Sequence, residues 1–294
     1  RSPLSYHPQN LTHRVCSRNA GSARAMPSTT IIEKVIEDPV WPVRWAKNQA
    51  GMQGWEDLDP ELAEACKEVW DLHRELTIGA VRKLHNLGLH KQYANRLLTP
   101  HQHINVLWTT VGWNNFFNLR DHPDAQPEEQ LFAQAIKSAL SMSEPKLLDY
   151  GEWHLPFIRE EDWEEGRKYL GIGESTFPAT EDDLLDLMKN ISASRCATLS
   201  YGNADGSKST FEKDLARVSK LMTNPLHASP FEHQATPDKK IRVNRSKIVY
   251  SDIFPGVVQD VISLGARDEY EHSELHGNLT GFIQYRKTLP NESV

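Results

Sequence analysis

Cysteine is scarce in this 294-residue chain, and the three that occur, Cys16, Cys66 and Cys196, stand in no CxxC or Cys/His spacing. That argues against a structural zinc centre and a disulfide scaffold, and makes free thiols in a reducing, cytoplasmic setting the expectation. No apolar run reaches the roughly 18 to 20 residues of a membrane span, and no signal-peptide core is present, so no membrane association is expected. A domain-wide basic excess is missing as well. Asp and Glu number 40 against 33 Lys and Arg, and the net charge of −7 argues against a nucleic-acid partner and for small anionic ligands. There are no internal repeats or low-complexity tracts.

One local absence is more informative. Residues 1 to 32 contain four Arg and not one Asp or Glu. Within them, His13-Arg14-Val15-Cys16-Ser17-Arg18-Asn19-Ala20-Gly21-Ser22-Ala23-Arg24 gathers three guanidiniums, an imidazole and two hydroxyls. Arg stays charged and meets phosphate oxygens bidentately, while Gly21 and its small neighbours admit a ligand to backbone N–H groups. The stretch reads as an anion trap, with a solvated basic loop as the alternative.

Local patterns predict an α+β chain richer in helix than in strand. A long helix is expected over 60 to 89, with Asp59 as N-cap, Pro60 first and Gly88 near the end. Its apolar stripe of Leu62, Cys66, Trp70, Leu76, Val81 and Leu84 is expected in the core. Further helices are predicted at about 91 to 98, stopped by Pro100, then over Ile104 to Leu119, Pro127 to Met142, 181 to 190 and 208 to 223. A strand is expected at Ala193 to Tyr201, with a Gly-Asn-Ala-Asp-Gly turn after it. The Trp, Pro, Gly and Glu-rich stretch 144 to 180 is expected to connect a first half, 1 to 143, with a second, 181 to 294, in one catalytic unit. His227 and His233 flank a Pro-rich turn, yet no further ligand has metal-binding spacing nearby, so no metal is expected.

Three separate segments resemble the flavin-dependent thymidylate synthases. The family signature is Arg-His-Arg, seven residues, Ser; here it is Thr12-His13-Arg14, seven residues, Ser22, with Asn19, Ser22-Ala23-Arg24 and the upstream Gln9 also matching. Asn118-Leu119-Arg120 followed by Ala125-Gln126-Pro127-Glu128 is similar to its Leu-Arg…Ala-Gln-x-Glu junction, with Arg96 placed four residues before Pro100 as the family places an Arg. His227-Ala228-Ser229-Pro230-Phe231-Glu232-His233 resembles its His-x-[ST]-Pro-Phe-Glu-His segment, and Cys196 to Tyr201 resembles the strand upstream of it. In the ordinary family those last two precede the signature. The resemblance therefore implies a circularly permuted, phage-type member with a central, mostly antiparallel sheet, in the cytoplasm of a bacterium or a phage-infected host.

The implied reaction is reductive methylation of dUMP to dTMP, with methylenetetrahydrofolate as carbon donor, FAD carrying hydride and NADPH reducing the flavin. No enzyme nucleophile is needed, since the cofactor supplies the reactive chemistry. The resemblance assigns dUMP to Gln9, Ser22, Arg24, Arg96 and Arg120, with Arg120 and Ser22 in the catalytic roles. It assigns FAD to His13, Arg14, Asn19, Asn115, Ser200, His227 and Ser229, and implies a homo-oligomer, a tetramer, with sites at subunit interfaces. Read without the family, Arg120 is a helix-end salt bridge with Asp121 or Asp124, and the isolated His and Ser residues are structural. Thr12 and Ala20 depart from the pattern, and Arg18 or Arg286 is expected to supply the lost charge. Trp153-His154-Leu155-Pro156 and Asn48 to Gln53 have no counterpart, so packing is expected of both, with control of substrate access as the alternative. Two other functions are consistent with the same residues: a pyrimidine nucleotide hydroxymethylase, and a nucleotide-binding module without catalysis.

Overall fold

The computed structural model describes residues 1–173, 179–199, 209–250, 258–290 and 292. The N-terminal part runs β1 (Ser2–Pro3), α1 (His7–Asn10), β2 (Ser17–Ala20), α2 (Ser28–Glu37), α3 (Pro60–Asn86), α4 (Lys91–Ala94), β3 (His103–Ile104), β4 (Val106–Thr109), α5 (Trp113–Arg120) and α6 (Pro127–Ser141). It continues with α7 (Glu160–Leu170), α8 (Glu181–Ala197), α9 (Phe211–Leu221), β5 (Ala235–Pro237), β6 (Lys240–Tyr250), β7 (Val258–Tyr270), β8 (Phe282–Gln284) and α10 (Tyr285–Thr288). Helices thus dominate an α+β chain, and no described helix is long and apolar enough to cross a membrane.

Local chemistry sets many of the boundaries. Pro60 fills the first position of α3 behind Asp59, and Gly88, with φ of 82°, takes the left-handed conformation just past its end. In α8 the Thr180 hydroxyl accepts from the Asp183 N–H at 3.2 Å while the Asp183 carboxylate accepts from the Thr180 N–H at 2.7 Å, a reciprocal capping box.

Three expectations are corrected. The segment expected to be one helix over 104 to 119 is two short strands followed by α5. Ser17–Ala20 provides a ladder partner for Val106–Thr109, so the backbone polar groups of this apolar run are satisfied by pairing, with Arg18 opposite Trp108. The strand expected at 193 to 201 is helix up to Ala197. Its helical phase carries Ser194 and Arg195 onto Asp214 of α9 while Ala193 and Cys196 are fully buried. The expected central sheet is instead four separate two-stranded antiparallel ladders among the described residues, β1–β3, β2–β4, β5–β8 and β6–β7. Most of these strands have only two to four residues, too short to build a broad sheet. A smaller difference is that Pro100 lies inside a 3-10 turn, Asn95–His101, rather than beyond a helix end. The expected Gly202 to Gly206 turn lies outside the described residues.

The core has three parts. Ile31, Ile32 and Val35 of α2 pack with Ile78 and Val81 of α3 and with Ala94 and Leu98. Of the α3 stripe expected in the core, Leu62 and Leu76 are instead exposed. Leu184, Met188 and Ile191 of α8 pack with Phe211, and Leu155, Ile158, Trp163, Leu170 and Ile172 join them, so residues 155 to 172 pack on the second half while 144 to 152 are mostly exposed. Phe231, Tyr285 and Ala193 form the third, with Trp153 against it. Trp153 to Pro156 therefore packs, as expected: Trp153 meets Tyr285 edge-on at 5.9 Å and carries the Lys189 ammonium 4.3 Å above its ring.

A buried ionic cluster clamps α7, α8 and α9. Arg195 holds Asp162 bidentately at 2.6 and 2.7 Å and Asp214 at 3.0 Å, and Arg217 reaches the same Asp214 at 2.8 Å. Opposite charges and hydrogen bonds fill both Asp214 oxygens, which is what lets a fully buried carboxylate persist.

Candidate nucleotide and flavin site

The acid-free stretch forms a tight loop between α1 and β2, and Arg18 holds it shut. Its guanidinium donates to the carbonyls of Asn10, His13 at 2.8 Å and Leu11 at 3.4 Å, and lies 5.8 Å from the Trp108 ring. Arg18 is thus a clamp on the loop, spending its donors on backbone. Against that loop α5 sets its last residue, Arg120, which donates to His13 Nε2 at 2.9 Å, to the Thr12 hydroxyl at 3.2 Å and to the Gln9 carbonyl at 3.4 Å. Gln9 in turn donates its side-chain amide to Gln126. The expected salt bridge of Arg120 to Asp121 is not formed; Asp121 pairs with Lys137 at 3.0 Å.

His13 is 6 % exposed and packed edge-on against Phe116 at 5.0 Å. Burial, then the charges of Arg120 and Arg18, lower its pKa, so at neutral pH it is an uncharged acceptor for Arg120. Glu129 lies close enough for Arg120 to act on it electrostatically. It is buried, its Oε2 has no hydrogen-bond partner among the described residues, and burial raises its pKa to about 7 against the opposing pull of Arg120. Its place in the first turn of α6, where the macrodipole favours acids, gives no sign in the sequence of this burial.

Three cavities are lined by candidate residues. The first, about 610 Å³, is lined by Gln9, Arg120 and Gln126 together with Tyr6, Arg44 and Gln53. Met52, Gln53 and Gly54 edge it, so the segment from Asn48 to Gln53, expected mainly to pack, sits at a cavity mouth. The second, about 510 Å³, is lined by Arg14, Arg18, Ser229, Gln284, Arg286 and Lys287. Arg286 is bound by Glu232 and, at 3.1 Å, Glu292, so its charge is locally balanced, and the expectation that it replaces a lost arginine gains nothing from its surroundings. The third, about 300 Å³, is lined by Gly21, Ser22 and Lys34. Here Asn95 donates to the carbonyls of Ala23 at 2.8 Å and Met26 at 3.2 Å, pinning the loop of Arg24 beside the turn that carries Arg96. Arg24 and Arg96 are both exposed.

The candidate residues therefore fall into groups. Gln9, His13 and Arg120 meet, with Thr12. Asn19 and Ser229 meet, the Ser229 hydroxyl donating to Asn19 Oδ1 at 3.0 Å while the Asn19 amide donates to the Cys196 carbonyl at 2.6 Å. Ser22 shares a loop with Arg24 and lines a different cavity from Arg120. Asn115 and His227 are exposed and join neither contact. Ser200 lies outside the described residues. Cys16 and Cys196 are poor nucleophiles: burial raises the first and pushes the second up to about 12. No protein-family model matches the chain, and no curated protein is significantly similar to it.

Proposed function

We propose that the chain is a flavin-dependent enzyme that methylates dUMP reductively to dTMP, using methylenetetrahydrofolate and NADPH, as the resemblance in its motifs implies. What chiefly supports this reading is convergence. The three segments that carry the resemblance are remote in sequence and touch in space, through Asn19 to Cys196 and Ser229, and through Arg120 to His13 and Thr12. Independent structural loops have no reason to meet at those residues.

The donors present suit FAD. Arg14 at the 510 Å³ cavity offers a cation to a diphosphate and Ser229 a neutral hydrogen bond, while Arg18 and Lys287 add positive charge nearby although the first is bound to loop carbonyls and the second to Glu292 at 2.6 Å. Bound there, FAD would supply hydride, a reaction the protein side chains cannot perform. Gln9 and Arg120 would hold the uracil in the neighbouring cavity. The Arg120 guanidinium beside the ring carbonyl stabilises negative charge as C5 becomes nucleophilic, and uncharged His13 fixes its orientation without neutralising it. Ser22, Arg24 and Arg96 would bind the phosphate. Ser22 and Arg120 of one chain line different cavities, which suits a nucleotide site shared between protomers of the tetramer that the resemblance implies.

Thr12 also has a role in this reading. Its hydroxyl donates to the Gln9 carbonyl at 2.7 Å and accepts from Arg120, at the position where the ordinary family has an arginine. The test is the visible spectrum of the purified protein and the mass of its product. Flavin bands that bleach with NADPH, and dTMP formed from dUMP and methylenetetrahydrofolate, are expected. A colourless protein that binds dUMP, or a hydroxymethylated product, would overturn the reading.

A further inference from the structure

Gln126 is the residue before α6, yet its side chain makes no capping bond to the helix. It lines the 610 Å³ cavity instead and accepts, at Oε1, a hydrogen bond from the amide nitrogen of Gln9. That single contact orients both amides. Gln9 has committed its nitrogen and keeps Oε1 as an acceptor, while Gln126 has committed its oxygen and keeps its NH2 group as a donor. Arg120 bonds through Nε and Nη2, to His13, Thr12 and the Gln9 carbonyl, so Nη1 is a further donor. None of these three groups has a hydrogen-bond partner among the described residues. The remaining donors on the wall are turned elsewhere: Arg44 is held by Asp57 at 2.5 Å and by the Trp55 carbonyl at 2.7 Å, the Gln53 amide by the Asp124 carbonyl, and Tyr6 faces Glu128. The cavity thus carries a donor, an acceptor and a donor, with Gln9 in the middle and bonded to both of its neighbours.

The geometry points to Gln126 as the residue that selects the base: its amide donates to O4 of a uracil whose N3–H meets Gln9 Oε1 and whose O2 meets Arg120. This rests on the reading of that cavity as the nucleotide site. Uracil shows carbonyl, N–H and carbonyl along one edge, the complement of the three free groups. Cytosine shows an amino group at position 4 and a bare nitrogen at position 3. It would set donor against the Gln126 NH2 and acceptor against Gln9 Oε1, at adjacent positions on a half-buried wall, and a polar group stranded in this way costs more than a formed bond contributes. Turning one amide to suit cytosine breaks the bond between Gln9 and Gln126, and turning both puts an NH2 rather than an oxygen of Gln9 in the field of the Arg120 guanidinium. The choice of base therefore belongs to the pair, and Gln126, to which the resemblance gives no ligand, sets its sense.

The test titrates the whole purified chain with dUMP and with dCMP in a calorimeter. Wild type should bind dUMP at least about 100-fold more tightly. Gln126→Leu removes the amide that orients Gln9, and Gln126→Glu sets an acceptor where O4 needs a donor. Each should shrink the ratio of the two affinities at least about tenfold, Glu more than Leu, with the flavin content read from the visible spectrum unchanged. Because the ratio compares two ligands on one protein, a partial loss of folded material leaves it intact. A residue that only braced the start of α6 would weaken both nucleotides by one factor, and an unchanged ratio in both variants would overturn the inference. Comparable binding of dUMP and dCMP by wild type would overturn it too. So would an unchanged ratio with altered flavin content, which would put the matching carbonyl, N–H and carbonyl edge of the flavin against Gln126. Binding of neither nucleotide by wild type would instead remove the nucleotide site, and the proposed function with it.

Discussion

Replacing Glu129 with Gln should remove most of one pH dependence from the folding stability. The carboxyl of Glu129 is 1 % exposed, and its pKa rises from an ordinary 4.5 to about 7 because burial disfavours the charge more than Arg120 favours it. In the unfolded chain the proton leaves near 4.5, whereas the folded chain keeps it until about 7. Between those values the folded state binds more protons, so stability falls as pH rises; the penalty is absent below the lower value and complete above the upper one. A shift of this size corresponds to about 3 kcal/mol. Glu129→Gln keeps the shape and removes the ionisation, so its stability relative to wild type should improve by about 3 kcal/mol between pH 4.5 and 8. Urea unfolding at half-unit pH steps, with both proteins in the same buffers, measures this directly. A difference between the two proteins that stays constant across the range would show that Glu129 is ionised normally, and the account of its burial beside Arg120 would be wrong.

Other consequences follow from the same contacts. Arg120→Ala should weaken dUMP binding by roughly 10- to 100-fold in calorimetry, since a charge-assisted bond is lost; it should also raise the pKa of His13, read by NMR, because Arg120 holds that imidazole down. Thr12→Arg restores the residue of the ordinary signature, yet should destabilise the chain by about 1–2 kcal/mol in a salt-dependent way, as it places a second guanidinium beside Arg120. Asp214→Ala should cost about 3–5 kcal/mol in urea unfolding by leaving Arg195 and Arg217 without their shared carboxylate. Gln284→Leu should cost about 2 kcal/mol or more and also lower flavin affinity, because the amide serves Ser17, Asn278 and the Glu232 carbonyl beside the 510 Å³ cavity.

Helix ends were legible in the chain wherever one residue type does the capping. Asp59-Pro60 opens α3 as read, and Gly88 follows its end in the left-handed conformation. The errors lie where the partner is remote. Nothing local to Val106 announces that Ser17–Ala20 will pair with it, so an apolar run with aromatics on several sides looked like a buried helix. Likewise Ala193 to Ala197 lacks an amphipathic rhythm because that end of α8 is buried on most sides, and Arg195 finds its carboxylates only after α7 and α9 pack. For the site, residue chemistry alone left Arg120 as a helix-end ion pair. The family resemblance grouped it with Gln9 and assigned His13 to the flavin, whereas in the fold Arg120 donates both to His13 and to the Gln9 carbonyl. Glu129 escaped both routes, since its raised pKa is a property of packing.

The meeting of these motifs is enforced by polar groups that cannot afford to part. Ser17 at the start of the signature strand donates to Asn278 at 3.0 Å and accepts from Gln284 at 3.2 Å; Gln284 also reaches Asn278 at 2.9 Å and the Glu232 carbonyl at 3.0 Å. Ser17 and Gln284 are 1 and 2 % exposed, so separating them would strand donors and acceptors away from water. The same logic ties β4 to the 227–233 segment, where Thr109 meets His233 at 2.8 Å and burial pushes that imidazole down to about 3, keeping it neutral. Three stretches distant in the chain are therefore locked together by hydrogen bonds whose loss costs more than their formation contributes. Such a junction is indifferent to the order in which its parts are encoded, so long as each strand and turn arrives with its donors intact. A motif order that differs from the ordinary family is, on these contacts, compatible with a site of the same composition.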